Sequence, residues 1–165
     1  MNFELFNEKS KILINDAQNK AISLNHQQVT PEHLIFSILS EDNNFFLQIF
    51  NELSVNHLHL KKQIDDLIQD KPKIMGEDLN IFFSNDLIKV FETAQKVKND
   101  FNDDYISPEI LFYTILCCEE IDIYDLLQRN GFNKNKLKFV TKIKAPYNGL
   151  QPRIIWVQPC SCLGN

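Results

Sequence analysis

One segment of this chain occurs twice, and it limits the possible folds more than any other feature. The first copy is Val29-Thr30-Pro31-Glu32-His33-Leu34-Ile35-Phe36-Ser37-Ile38-Leu39, and the second is Ile106-Ser107-Pro108-Glu109-Ile110-Leu111-Phe112-Tyr113-Thr114-Ile115-Leu116. Each copy has a hydroxyl residue that can cap a helix, a Pro where a missing N–H costs nothing, and a Glu suited to the positive end of the helix dipole. Apolar residues follow at helical spacing, so each copy predicts a helix that begins at its Pro.

The two copies are separated by a constant interval of 77 residues. The same interval pairs Phe6 with Phe83, Ala17-Gln18 with Ala94-Gln95, Asn56 with Asn133, and Leu60 with Leu137. An ungapped register of this length indicates one structural unit present twice. Because four short helices cannot bury their apolar faces alone, we expect the two units to pack about a pseudo-twofold axis, with a groove for a ligand or partner between them.

Glycine is scarce in the chain, with 4 copies among 165 residues, whereas phenylalanine occurs 13 times. A chain so poor in the residue that supplies tight turns favours helices over a β sandwich, and its length suffices for one sizeable domain. We therefore predict an all-α fold of two pseudo-twofold repeats of four helices.

The predicted boundaries follow from the register and from the Pro and Gly residues. Repeat one covers residues 1–70, a linker covers 71–82, repeat two covers 83–143, and a tail of different character covers 144–165. In repeat one the helices are predicted at about 8–24, 31–39 and 45–53 and after the cap at 56. In repeat two they are predicted after the cap at 84, at about 108–116 and 121–128, and from the cap at 133 to 143.

Charge and hydropathy exclude several classes of partner. The net charge is −5 without a long basic run, which argues against binding to nucleic acid or to an anionic membrane surface. No stretch approaches the ~20 apolar residues of a membrane span, and the N-terminus lacks the pattern of a signal peptide. We expect a cytoplasmic protein.

Catalytic and metal sites are poorly supported by the sequence. The phosphate-binding pattern Gly-x-x-x-x-Gly-Lys-Ser/Thr does not occur, so the chain is not expected to hydrolyse nucleotides. His57 and His59 diverge on a helix, and no Cys/His spacing matches a zinc site, so we predict no metal and no cofactor. The four cysteines, among them the adjacent Cys117 and Cys118, are predicted to be free thiols, and the chain is predicted not to be an enzyme.

The order of motifs resembles a known family. The residues that carry the resemblance are Phe6, Ala17-Gln18, His26-Gln27-Gln28-Val29-Thr30-Pro31-Glu32-His33-Leu34, Ile38-Leu39, Lys71-Pro72-Lys73 and Asp103-Asp104-Tyr105-Ile106-Ser107-Pro108-Glu109. They are similar to the Clp N-terminal domain, the substrate- or adaptor-binding module of the Clp AAA+ unfoldases, with the linker most similar to the ClpB disaggregase branch. The resemblance covers about residues 1–143 and implies eight helices in two repeats.

The resemblance also implies site residues. Positions that affect substrate handling in the family fall on Asp103 and Glu109, and a family hydroxyl residue falls on Asn7. Each also has a structural explanation, since Glu109 can stabilise its helix through the dipole, Asp103 can be a solvated connector residue, and Asn7 can be a cap. Exposed apolar residues are a further requirement for binding misfolded chains, and the candidates are Phe91, Ile110 and Leu13.

Two functions remain open at this point. The resemblance implies a module that binds unfolded or aggregated polypeptides and passes them to an AAA+ ring. The alternative is a docking module for a folded adaptor or a Clp protease core, and in either case we expect the isolated domain to be a monomer. The tail matches neither repeat. We favour a vector-encoded or out-of-frame extension over a natural tail that docks on a partner.

Overall fold

The computed structural model describes residues 2–42, 44–76, 80–132 and 134, and this part of the chain is mostly helical, as predicted. Within it, a 3₁₀ turn at Phe3–Leu5 is followed in chain order by α1 (Glu8–Ser23), β1 (Gln28–Val29), α2 (Pro31–Ser40), α3 (Asn44–Glu52), α4 (His57–Gln69), β2 (Phe82–Phe83), α5 (Asn85–Asp100), α6 (Pro108–Cys117) and α7 (Ile123–Arg129). The predicted eighth helix and the tail lie outside the described residues. That helix and the domain boundaries therefore stay predictions.

Side-chain caps start α1, α2, α4, α5 and α6. The four caps that accept a hydrogen bond from the backbone N–H three residues ahead, at 2.9 to 3.4 Å, are Asn7, Asn56, Ser84 and Ser107. Helix α2 begins differently, because the cap Thr30 and the residue His33 form a reciprocal capping box around Pro31. These bonds satisfy N–H groups that the first turn of a helix leaves without intrahelical partners.

The 77-residue interval of the sequence is also present in the backbone. Helices α1 and α5 both have 16 residues and α2 and α6 both have 10, and each pair begins 77 residues apart. Left-handed backbone occurs at two pairs of positions with the same spacing: Asn25 (φ 56°) with Asn102 (φ 52°), and Ser54 (φ 55°) with Gly131 (φ 95°). The turns that end corresponding helices are thus also repeated.

Extended segments join the two repeats. In the parallel pair β1–β2, Val29 lies opposite Phe83, and an isolated parallel bridge joins Phe6 to Ile106. Adding 77 to Phe6 and Val29 gives Phe83 and Ile106, so the two bridges are equivalent under the repeat. These strands were not predicted from the sequence, because two residues are too few to show the alternation that identifies a strand.

A cluster of aromatic rings forms the core where the repeats meet. Phe46 and Phe50 of α3 pack with Phe112 of α6 and with Phe132, which follows α7. The ring centroids lie 5.3 to 6.4 Å apart, and all four side chains are buried. Since most of these pairs are edge-on, they add a favourable ring geometry to the burial of a large apolar area.

Candidate functional site

The start of α1 contacts the start of α6. The backbone N–H of Asn7 donates to the carbonyl of Ile106 at 3.1 Å, and the N–H of Ile106 donates to the carbonyl of Leu5 at 2.6 Å. The hydroxyl of Ser10 donates to the same Ile106 carbonyl at 2.9 Å. We call the surface formed by residues 3–8 and 103–109 the α1–α6 seam.

The three polar candidates from the sequence all lie at the α1–α6 seam. Asn7 is part-exposed and caps α1 by accepting the N–H of Ser10 at 2.9 Å. Glu109 is half-buried in the first turn of α6, and Asp103 is half-buried just after the left-handed Asn102. The structure thus assigns the capping role to Asn7, while the binding roles of all three residues stay predictions.

The three apolar candidates are not surface residues, so the expectation that they are exposed was wrong. Leu13 and Phe91 are each 1% exposed and Ile110 is 2% exposed. Phe91 packs edge-on against Phe6 and Phe83, with centroid distances of 5.4 Å in both pairs. These residues lie on the helix faces that pack against other helices, and helical spacing alone does not distinguish a core residue from a groove residue.

Other apolar residues are exposed at the α1–α6 seam and were missed. Phe3 is 41% exposed and Tyr105 is 58% exposed, although Tyr105 directly precedes the buried Ile106. Successive side chains point in opposite directions in an extended segment, so pairing of Ile106 with Phe6 turns Tyr105 outwards. The acidic Asp103 and Asp104 come just before Tyr105 in the chain. The sequence feature that could have indicated the exposure of Tyr105 was its position directly before Ile106 in an extended segment.

The equivalent surface of repeat one is covered at its polar positions. We call it the α2–α5 seam, and it contains His26 and Glu32 at the positions equivalent to Asp103 and Glu109. His26 is 2% exposed and Glu32 is 3% exposed. The connector after α4 covers them, since the ammonium of Lys71 lies 3.3 Å from the Glu32 carboxylate and Ile74 N–H donates to the Asn25 carbonyl at 2.8 Å. Among the described residues the connector therefore removes the acidic part of this seam from solvent, whereas Gln28 and Phe82 of the same seam stay exposed.

Two buried histidines stabilise the covered seam. Nδ1 of His33 accepts the backbone N–H of Thr30 at 3.1 Å, so its Nε2 carries the proton and donates to Nδ1 of His26 at 3.0 Å. Burial, followed by the nearby His26, Lys71 and Lys20, lowers the pKa of His33 to about 3. Burial is also the main cause of a lowered pKa at His26. Both rings are neutral at pH 7 and have a structural role.

The side chains of His57, Cys117 and Cys118 could take part in catalysis, but the contacts they make are structural. Nε2 of His57 lies 2.8 Å from the Leu39 carbonyl, and its ring stacks on Phe50. Cys117 and Cys118 are free thiols, as predicted, and burial raises the pKa of both. A raised thiol pKa disfavours the reactive thiolate.

Metal ligation and membrane insertion find no support in the described part of the chain. Over 2–42, 44–76, 80–132 and 134, no three His, Cys, Asp or Glu side chains are grouped so that they could hold a metal ion. Of the helices in those ranges, none combines the length and apolar character needed to span a bilayer.

Comparison with known proteins gives a consistent family match. The profile of the Clp repeat (R) N-terminal domain matches residues 5–130. The chain is 31% identical over 142 residues to the chaperone protein ClpB of Bacillus anthracis, and this alignment covers 83% of this chain and 16% of the relative. It is 26% identical over 140 residues to ClpB of Mesorhizobium japonicum, and this alignment covers 85% of this chain and 16% of the relative. The chain thus spans about one sixth of the length of these relatives.

Solved structures show the same fold. The N-terminal domain of Hsp104 from Candida albicans aligns with a TM-score of 0.69 at 17% identity, covering 79% of this chain and 84% of that one. The N-terminal domain of the caseinolytic protease associated chaperone ClpD from Arabidopsis thaliana aligns with a TM-score of 0.60 at 20% identity, covering 82% and 90%. At these identities the likeness concerns the fold.

Proposed function

The chain belongs to the Clp repeat (R) N-terminal domain family, and we propose that it is a polypeptide-binding module of a ClpB-type, ATP-dependent chaperone of the cytoplasm. In this proposal the α1–α6 seam binds unfolded or aggregated polypeptides, which are passed to an AAA+ ring, and no catalysis takes place in this chain. One observation supports this function beside the family: the α1–α6 seam has accessible carboxylates beside exposed aromatic rings, whereas the equivalent polar positions of repeat one, His26 and Glu32, are buried.

The composition of the α1–α6 seam suits an unfolded chain. Tyr105 and Phe3 offer exposed aromatic surface, and unfolded chains expose apolar side chains that folded proteins bury. Asp103, Asp104 and Glu109 lie beside this surface in the chain and would attract the Lys and Arg residues that accompany apolar ones. The binding expected from such a surface is weak, broad in specificity and sensitive to salt.

The covered α2–α5 seam is the internal comparison for this proposal. Where the open seam has Asp103 and Glu109, the covered seam has a neutral buried imidazole and a carboxylate already paired with Lys71. A buried carboxylate with an intrachain cation has little to offer a second cation. The proposal therefore places one client site on the domain and not two.

The test measures binding of a permanently unfolded basic protein. Reduced lysozyme with blocked cysteines and a fluorescent label is titrated with the domain, and fluorescence anisotropy gives the affinity. We expect Asp103→Lys and Glu109→Lys each to weaken binding by about fivefold, since reversal of a surface charge changes an ion-pair energy by about 1 kcal/mol. Tyr105→Ser is expected to weaken binding through loss of apolar contact area.

The matched control is Glu92→Lys, which reverses an exposed carboxylate on α5 outside the α1–α6 seam. It is expected to bind like the wild type. Equal affinity in the wild type and all three seam variants contradicts the proposal. If unfolded lysozyme does not bind but a folded protein forms a stoichiometric complex that the seam variants lose, the docking function is the correct one.

A further inference from the structure

A groove between α1 and α2 lies outside both seams. It encloses about 360 Å³, which is at the lower end for ligand pockets and has room for one or two side chains. Residues of α1 spaced one helical turn apart form one edge, Ile12, Asp16 and Lys20. The other edge and the floor are formed by Phe36, Ser37, Ser40, Glu41 and Leu13.

The groove has an apolar part and a carboxylate oxygen that no described group pairs with. Ile12 is 58% exposed, although large apolar residues on helices are usually buried. Near it, Oε2 of Glu41 is inaccessible to solvent and makes no hydrogen bond or ion pair with the described residues. An unpaired buried carboxylate oxygen is costly, so a cation placed there gains more than it would at the surface.

Lys20, which lines the groove, does not supply that cation. The ammonium of Lys20 lies 4.2 Å from the ring centroid of Phe36 and 2.9 Å from the carboxylate of Asp65 on α4. Its charge is already neutralised by Asp65. Lys61 of α4 lies on the far side of the groove, with its ammonium 5.2 Å from the Phe36 ring centroid. Neither lysine forms an ion pair with Asp16 or Glu41, so among the described residues these two carboxylates keep their negative charge for an occupant.

Repeat two differs from repeat one at the position of Ile12. The residue equivalent to Ile12 is Lys89, whose ammonium crosses from α5 to form an ion pair with Glu120 in the turn after α6. Glu41 lies in the turn after α2, and the residue equivalent to it in repeat two is Cys118, so the pair of Lys89 and Glu120 joins the same elements without being an exact counterpart. Repeat two thus has a lysine, paired within the domain, at the position where repeat one has the exposed Ile12.

We infer that the α1–α2 groove is a second binding site, and that its occupant is an extended polypeptide segment in which a Lys or Arg adjoins an apolar residue. The apolar side chain packs against Ile12 and Phe36, and the cation pairs with Glu41 and Asp16. An anionic segment is disfavoured by the same two carboxylates. This inference deepens the proposed function, on which it rests for the class of ligand, but it concerns different residues and can fail separately.

The experiment uses a short peptide that alternates Leu and Arg and carries a nitroxide label, and its matched peptide alternates Leu and Glu. Paramagnetic broadening of backbone amide signals in the ¹⁵N-labelled domain reports where each peptide lies. We expect the Leu/Arg peptide to broaden the amides of Phe36, Ser37 and Ser40, and the Leu/Glu peptide not to do so.

Two variants test the chemistry of the groove. Ile12→Lys reproduces the lysine of repeat two and should pair with Glu41, so broadening in the groove is lost. Glu41→Gln keeps the shape but removes the charge, and should weaken peptide binding at the groove by about tenfold, as expected for loss of one charge-assisted contact. Ile22→Lys is the control, since Ile22 is 48% exposed on the same helix but does not line the groove.

The outcomes separate the groove from the seam. Broadening at the groove that survives in Ile22→Lys and disappears in Ile12→Lys supports the inference. Broadening only at residues 103–109 overturns the inference and supports the proposed function. Broadening only at the groove supports the inference and contradicts binding at the α1–α6 seam. Equal broadening by the two peptides, or groove broadening unchanged in Ile12→Lys, also overturns the inference.

Discussion

Acidification is expected to destabilise the domain through the buried pair of His26 and His33. His33 is fully buried, its Nδ1 accepts the Thr30 N–H, and its Nε2 donates to His26. A second proton has to go on Nδ1 and breaks the capping contact. The charged groups that face the pair from the neighbouring elements are the cations Lys71, Lys73 and Lys20, which disfavour protonation further.

The size of the effect follows from the shift in pKa. The pKa of His33 is about 3 in the folded protein against an ordinary value of 6.5, so the unfolded chain binds the proton more readily. The stability that comes from the neutral ring is fully present above pH 6.5 and is lost as the pH falls towards 3. Between about pH 7 and about pH 4.5 the loss amounts to about 2 to 3 kcal/mol from this one residue.

The assay is urea unfolding followed by circular dichroism across that pH range, on the wild type and on His33→Gln. Gln is chosen because it can replace His33 in the capping box without titrating. The free energy of unfolding is compared between the wild type and the variant at each pH. The difference in favour of the wild type should shrink by about 2 to 3 kcal/mol from about pH 7 to about pH 4.5. If the two proteins lose stability in parallel, the neutral buried pair is not the cause and the reasoning is refuted.

Three further predictions concern stability, each measured by urea unfolding at neutral pH. Phe112→Ala should cost about 3 to 5 kcal/mol, because it opens a cavity in the aromatic core, and a cost under ~1 kcal/mol contradicts that packing. Ser54→Gly should stabilise by up to about 1 kcal/mol, since the left-handed backbone there is strained for Ser and the equivalent Gly131 has none of that strain; a loss of stability argues against the conformation. Lys71→Met should destabilise by about 1 to 3 kcal/mol, because Glu32 then stays buried without its cation, and no change means that the connector does not cover it.

The helices were predictable because their signals are local. The hydroxyl or amide caps, the Pro at the first helical position and the apolar spacing all act within one or two turns, and the 77-residue register indicated the second repeat independently of the first. Small differences remain at the ends, such as α7, which runs from Ile123 to Arg129 where about 121–128 was predicted. Helix ends depend on the turns that follow, which a local pattern describes less well.

The surface was much less predictable, because it depends on contacts between distant segments. Glu32 and Glu109 follow a Pro in the same motif, yet only Glu32 is buried, since the connector brings Lys71 to it. Leu13 was expected to be exposed and is buried, whereas Ile12 beside it is exposed. No periodic pattern in α1 decides between these neighbours, because the decision rests on how α2 packs.

The central claim is that polypeptides bind the α1–α6 seam and not its equivalent in repeat one, where the carboxylate of Glu32 is buried and paired with Lys71. The most direct measurement places a photo-crosslinking benzoylphenylalanine at Tyr105 or at Gln28, which occupy equivalent positions 77 residues apart. After irradiation with unfolded, cysteine-blocked lysozyme, we expect a cross-linked adduct from the Tyr105 position and none above background from the Gln28 position. Equal cross-linking from both positions, or adducts from Gln28 alone, contradicts the account.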